Sequence, residues 1–159
     1  MAKAYSTDIS CYLDDTDILT VRSLFMEFAE NLGVDLCFQG FQQELDGLPG
    51  DYAPPDGRLL IAIDGDRAAG CVAIRKLGDG ICELKRLYVQ PGYRGQGLGR
   101  RLAEAVIAEA RAIGYRKMRL DSLTSLKEAA GLYRSLEFVE IPPYRYNPLP
   151  EAVFMEMEL

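Results

Sequence analysis

Gly95, Gly97 and Gly99 alternate within the stretch Tyr93–Arg100, and their neighbours leave little freedom in what this part of the chain can become. Before them, Leu87-Tyr88-Val89 is apolar, β-prone and stopped by Pro91-Gly92. After them, Leu98, Leu102, Ala105, Val106 and Ile113 recur at helical spacing. The glycines therefore occupy a strand-to-helix junction. Alternate glycines leave no side chains between the backbone amides and a ligand, and the first turn of the helix offers unpaired N–H groups and a positive dipole end. Arg94, Arg100 and Arg101 add charge that can pair with phosphate oxygens. The stretch reads as a phosphate cradle.

Two common nucleotide motifs do not fit it. A dinucleotide fingerprint needs Gly-x-Gly-x-x-Gly and an acidic residue about 20 positions later, whereas the glycines here alternate. A P-loop ends in Gly-Lys-Ser/Thr, and Gly99 is followed by Arg100. Arg94-Gly95-Gln96-Gly97-Leu98-Gly99 instead resembles the pyrophosphate-binding signature Gln/Arg-x-x-Gly-x-Gly/Ala of the GNAT family, the GCN5-related N-acetyltransferases. The resemblance is specific over 81–138, and a loop containing Pro142-Pro143-Tyr144 and Asn147-Pro148 is similar to one in bacterial members of unassigned substrate.

At 159 residues the chain suits one domain, 1–159, with a single core. It has no histidine, which excludes an imidazole base or ligand. Cys11, Cys37, Cys71 and Cys82 form no CxxC pair and read as buried free thiols, so no metal is expected. A formal net charge of −6 argues against nucleic acid as a main partner and is compatible with a cationic amine. No apolar run approaches the roughly 20 residues of a membrane span, and a cytoplasmic protein without membrane partner is the default; a homodimer is allowed.

The periodicities predict an edge strand over 4–13, then a helix capped by Thr16 or Asp17 and stopped by Gly33. A short helix near Gln42–Leu45 lies in a mobile, Gly/Pro-rich segment reaching Gly57. Strands follow at 58–64, 67–76 and 81–89, the first two joined by an Asp64-Gly65-Asp66 turn. The glycine loop leads into a helix over 97–113, a strand at 117–120, a helix capped by Thr124 or Ser125, and closing strands at 138–141 and 152–159. This is α/β, and the order resembles the GNAT fold: a mixed sheet of about seven strands with four helices and two splayed parallel strands in the middle.

The resemblance implies acetyl-coenzyme A as cosubstrate, with its pyrophosphate on Arg94, Gly95, Gln96, Gly97, Leu98, Gly99 and Arg100, and its pantetheine along Leu87, Tyr88 and Val89. An irregularity in that strand would aim the Val89 amide at the thioester carbonyl. Strict alternation would put Glu83, Lys85, Leu87 and Val89 on one face and Cys82, Leu84, Arg86 and Tyr88 on the other. Glu83 stands where the family often carries a glutamate. A carboxylate is the available base for an amine, whose reference pKa lies near 10.4; an ion pair with Lys85 or Arg86 at the surface is the competing role for Glu83. Tyr133 matches the family's general acid for the departing thiolate. Two positions depart from the family pattern. Leu126 stands where the family often has a coenzyme-binding asparagine, so that contact is missing or is taken over by Ser125, and Glu137 replaces a glycine after the helix. For the acceptor, Phe38, Phe41, Tyr52, Tyr144 and Tyr146 could line a pocket or pack their loops together; Glu44, Asp46 or Asp51 could attract an amine, and Arg145 a carboxylate. The expected activity is acetyl transfer to a primary amine of a small molecule or amino acid. A coenzyme-binding sensor without turnover and a protein N-terminal or lysine acetyltransferase are the alternatives.

Overall fold

The computed structural model describes residues 7–11 and 14–159. Among them a seven-stranded sheet runs β1-β2-β3-β4-β5-β7-β6, built from β1 (Asp8–Ser10), β2 (Arg58–Asp64), β3 (Arg67–Gly78), β4 (Ile81–Val89), β5 (Lys117–Leu123), β6 (Val139–Ile141) and β7 (Ala152–Glu158). Four α-helices accompany it: α1 (Asp15–Leu32), α2 (Phe41–Asp46), α3 (Leu98–Ile113) and α4 (Lys127–Ser135). The parts of the expected first strand at 4–6 and 12–13 lie outside the described residues.

The β2 sequence shows why the sheet has two buried faces. Leu60 and Ala62 join a core under α3 with Leu102, Val106 and Met118, whereas Leu59 and Ile61 join a second core under α1 with Val21, Leu24, Phe25 and Tyr52. The period-2 alternation of a strand thus feeds both sides at once. β4 and β5 form the parallel pair, and α3 crosses between them. Their pairing covers only Ile81↔Lys117, Cys82↔Met118 and Glu83↔Arg119. Beyond it the strands diverge, because β5 follows β7 up to Leu123 while β4 bends away on a bulge.

That bulge is the irregularity expected in β4, and it breaks the strict alternation. Across it Cys71 faces Tyr88 but Ala73 faces Lys85, so Arg86 and Leu87 share one opposing position, and Arg86 takes a left-handed φ of 60°. The extra residue shifts the phase. Cys82 and Leu84 face the α3 core, and after the bulge Leu87 and Val89 do so, while Tyr88 joins the α1 core. A positive φ at a non-glycine residue is strained, and side-chain contacts hold Arg86 there. Its guanidinium donates to both carboxylate oxygens of Glu44 at 2.9 and 3.1 Å and to Gln39 at 3.0 Å, and lies 5.1 Å from the Phe41 ring.

Several local expectations shift. Asp14, not Thr16 or Asp17, caps α1 through a capping box with Asp17, one turn earlier because a reciprocal pair satisfies two amides. Leu126 precedes α4 with no side-chain cap from Thr124 or Ser125. The 33–57 segment is not a loose loop: Leu45 and Tyr52 are buried, and any Cβ on Gly57 would fall 2.4 Å from the Asp51 carbonyl oxygen. Cys71 and Cys82 are buried, but Cys11 and Cys37 are exposed. Among the described residues no helix is long and apolar enough to cross a membrane, and no group of His, Cys, Asp or Glu converges to hold a metal ion.

Candidate active site

The divergence of β4 and β5 opens a cleft that runs from the glycine loop to the bulge. Its outer part, about 410 Å³, is lined by Leu87, Tyr88 and Val89 of β4, by Arg94, Gly95, Gly97, Leu98 and Gly99, and by Ser125 and Tyr133. Its inner part, about 90 Å³, lies where the strands separate, against Lys85, Arg86, Asp121, Gln39 and Asn147. Leu87, Leu126, Ala129 and Tyr133 belong to both walls, so the two parts are contiguous.

At the outer end Gly97 sits in the left-handed region, φ 79°, and forms the N-terminal boundary of α3 without any side-chain cap. The orphan amides of the first turn are left for another acceptor. A Cβ on Gly95 or Gly97 would meet open space, and one on Gly99 only van der Waals neighbours at 3.8 Å, in Val89 and Leu132. The protein's own packing thus does not require a glycine at 99, but an anion approaching the backbone does. Arg94 lines the cleft, its Nε donating to the Val89 carbonyl at 2.9 Å and its guanidinium 5.7 Å from the Tyr88 ring.

The other predicted anion ligands turn elsewhere. Gln96 is exposed and Arg100 bonds Ser135 and Glu104, and neither lines the cleft. Arg101 is committed to Thr7 at the sheet edge, where its Nη2 donates to the carbonyl at 2.8 Å. Helical geometry separates these arginines from the loop, since each residue past the N-terminus rotates about 100° around α3.

The Gln90 amide donates to the Ala69 carbonyl on the β3 side at 2.8 Å. Successive amides alternate direction in a strand, so that of Val89, past the bulge, points to the open edge facing β5. Tyr133 reaches the cleft from α4 because the helix ends in a Schellman motif. Phe138 N–H donates to the Tyr133 carbonyl and Glu137 N–H to that of Arg134, both at 3.0 Å, with Glu137 at φ 74°. The accompanying hydrophobic contact is the Tyr133–Phe138 ring pair at 5.6 Å, which fixes the phenol. Burial, reinforced by Asp121, raises the Tyr133 phenol well above its ordinary pKa, so it carries its proton at neutral pH.

Glu83 is neither a surface ion-pair partner nor part of the cleft wall. It is 0% exposed, and its carboxylate receives Arg75 Nε at 3.0 Å, the Tyr144 hydroxyl at 2.6 Å and the Arg145 guanidinium. Burial pushes its pKa up, but Lys85, the Tyr144 hydrogen bond, Arg145 and Arg75 together outweigh burial and hold it below the ordinary value. Such a carboxylate fastens the β6–β7 loop across the sheet. Arg145, expected as a free carboxylate receptor, is thereby engaged, as are Glu44 by Arg86 and Asp46 by Arg22. Tyr144 packs on Phe154 at 5.2 Å and Tyr146 is exposed, so these aromatics do not line the inner cleft.

The polar residues there are ones that sequence reasoning passed over. Lys85 is 4% exposed, donates from Nζ to Gln39 Oε1 at 3.1 Å and stands 3.8 Å from Asp121 Oδ1. Asp121 Oδ2 accepts from Asn147 Nδ2 at 3.1 Å. Burial and the neighbouring Arg86 bring Lys85 down to about 8, against the pull of Glu83 and Asp121. The available signal was charge inside an apolar strand: Lys85-Arg86 in β4 and Asp121 in β5.

The acetyltransferase (GNAT) family profile matches residues 20–138. An uncharacterized N-acetyltransferase of Schizosaccharomyces pombe is 38% identical over 161 residues, covering 100% of this chain and 99% of that protein. One from Dictyostelium discoideum is 30% identical over 201 residues, covering 87% of this chain and 93% of that protein. Relatives thus extend to eukaryotes, beyond the bacterial members suggested by the loop at 142–148. Among solved structures, an acetyltransferase of Streptococcus agalactiae superposes with a TM-score of 0.80 at 21% identity, covering 96% of this chain and 98% of that one. The yncA protein of Salmonella typhimurium, solved with its cofactor acetyl-CoA, superposes with a TM-score of 0.67 at 20% identity, covering 96% and 93%. At these identities the likeness concerns the fold.

Proposed function

The chain belongs to the GNAT family of acetyltransferases, and from that premise we propose that it passes the acetyl group of acetyl-coenzyme A directly to the primary amine of a small molecule or amino acid. The cleft fits the donor. Uncapped amides of α3 and the space over Gly95, Gly97 and Gly99 suit a pyrophosphate, with Arg94 beside it and Ser125 on the opposite wall. The unpaired edge of β4 suits a pantetheine arm. When bound, acetyl-coenzyme A supplies an acyl carbon activated as a thioester.

In this reading the amide of Val89 hydrogen-bonds the acyl oxygen, where a fixed dipole stabilises developing charge. Tyr133, on both walls of the cleft, gives the departing sulfur its proton. Glu83, with both oxygens engaged, positions the Tyr144–Arg145 loop and leaves the acceptor's proton to another carboxylate. The observation that carries the small-molecule reading is the size and enclosure of the inner cleft. About 90 Å³ beside Lys85 and Asp121, whose side chains are 3% and 5% exposed, suits a small amine, not an extended polypeptide. Thiol release should be measured with acetyl-coenzyme A against small amines, amino acids and N-terminal peptides. Turnover on small acceptors and none on peptides is expected; peptides used better than every small amine would overturn the reading.

A further inference from the structure

The inner cleft presents an anion and a cation, Asp121 and Lys85, whose hydrogen-bonding capacity is not used up. Asp121 is 5% exposed at its side chain, and Asn147 occupies only Oδ2; Oδ1 lies 3.8 Å from Lys85 Nζ, beyond hydrogen-bond distance. Lys85 gives one of its three hydrogens to Gln39. The charges around the pair are committed to one another: Arg86 to Glu44, and Glu83 to Arg75, Arg145 and Tyr144. Asp121 and Lys85 thus line a common cavity with side chains only 5% and 3% exposed.

Resting on the acetyltransferase reading above, we infer that the acceptor is an amine with a carboxylate on the adjacent carbon, an α-amino acid, whose ammonium is taken by Asp121 Oδ1 and whose carboxylate is taken by Lys85 Nζ. The two charges of such a zwitterion are about as far apart as those of the pair they meet, so four groups of alternating sign close a ring. Each ligand charge replaces water lost by a buried protein charge. A simple amine would draw on Asp121 and bring Lys85 no second anion, and a simple acid would draw on Lys85 and bring Asp121 no second cation; buried charges so stranded are costly. A site that hydrogen-bonds a substrate group strongly rejects the analogue that lacks it.

The assignment also completes the proton path. Asp121 accepts the first proton of the ammonium and passes it to solvent. As the N–C bond forms and the C–S bond breaks, Tyr133 protonates the departing sulfur and the second proton of the nitrogen returns through solvent to the Tyr133 oxygen, so one proton is released in net. Apolar Phe28, Leu32 and Leu36 line the same cavity and offer contact to the amino acid's side chain.

The test is thiol release with matched triplets: an amino acid, its carboxamide and its decarboxylated amine, for alanine, leucine and phenylalanine. The free amino acids should exceed both analogues at least tenfold in kcat/KM. Lys85→Met should collapse that ratio to near one, whereas Lys85→Arg should keep part of it; a ratio measured within one variant does not depend on how much protein folds. Carboxamides or amines acetylated as fast as the amino acids would overturn this inference and leave the N-acetyltransferase reading standing. No turnover on any member, with acetyl-coenzyme A still bound, would overturn both.

Discussion

Replacing Glu83 by Gln separates a catalytic carboxylate from a structural one. In the wild type three donors from β3 and the β6–β7 loop converge on this fully buried side chain. The amide keeps the shape but removes the charge and turns an N–H₂ toward at least one of those donors. Arg75 and Arg145, with side chains 23% and 20% exposed, are then left without their anion. Breaking a buried ion pair costs roughly 3–5 kcal/mol, and partial solvent access to both arginines favours the lower end, about 3 kcal/mol. With an unfolding entropy of about 2.1 cal/mol/K per residue over 159 residues, that is a fall of about 9 °C in Tm. Because the folded-state pKa is depressed, the stabilisation is present above the unfolded value near 4.5 and disappears as pH falls through the folded value. The Tm difference between wild type and variant should therefore be full at pH 7 and shrink under acid. Calorimetry at several pH values measures it, and turnover is assayed well below both transitions. A Tm unchanged at pH 7, with kcat lowered a hundredfold or more, would refute the positioning role and make Glu83 the base.

Tyr133→Phe retains the Phe138 ring contact and removes the proton, so kcat should drop about 10²–10⁴-fold with unchanged coenzyme A affinity by calorimetry. Gly99→Ala should leave Tm unchanged, since its Cβ has room, yet weaken coenzyme A binding at least tenfold by placing a methyl in the cradle. Glu137→Gly relieves a side chain held at φ 74°, and should raise stability by about 1 kcal/mol, a Tm gain of about 3 °C, with no change in KM for acetyl-coenzyme A.

Much of the donor side was legible in the residues. The glycine loop, its strand and its helix appear at their expected places because local rules of spacing and turn chemistry suffice for them; α3 spans Leu98–Ile113 and is capped by Gly114. The left-handed position of Glu137 was likewise readable, since a helix end makes the same demand wherever it occurs. The inner cleft obeyed no such rule. An irregularity in β4 was expected from its mixed faces, but its place at Arg86 was not legible, because a bulge is held by side-chain partners far along the chain, in Glu44 and Gln39. The residues around Glu83 allowed a base or a surface ion-pair partner, and only the fold shows its carboxylate buried and met by Tyr144 and Arg145, 61 and 62 positions later. Asp121 and Lys85 looked like ordinary charges on strands, and only the parting of β4 from β5 put them across one cavity. The sequence by itself thus determined the family, and it singled out the glycine loop and Tyr133 that the fold brings to one cleft, all of which rest on near neighbours. The tertiary structure decided which carboxylate is bound up and which is free, because a buried charge takes its role from whatever the fold brings within hydrogen-bond reach.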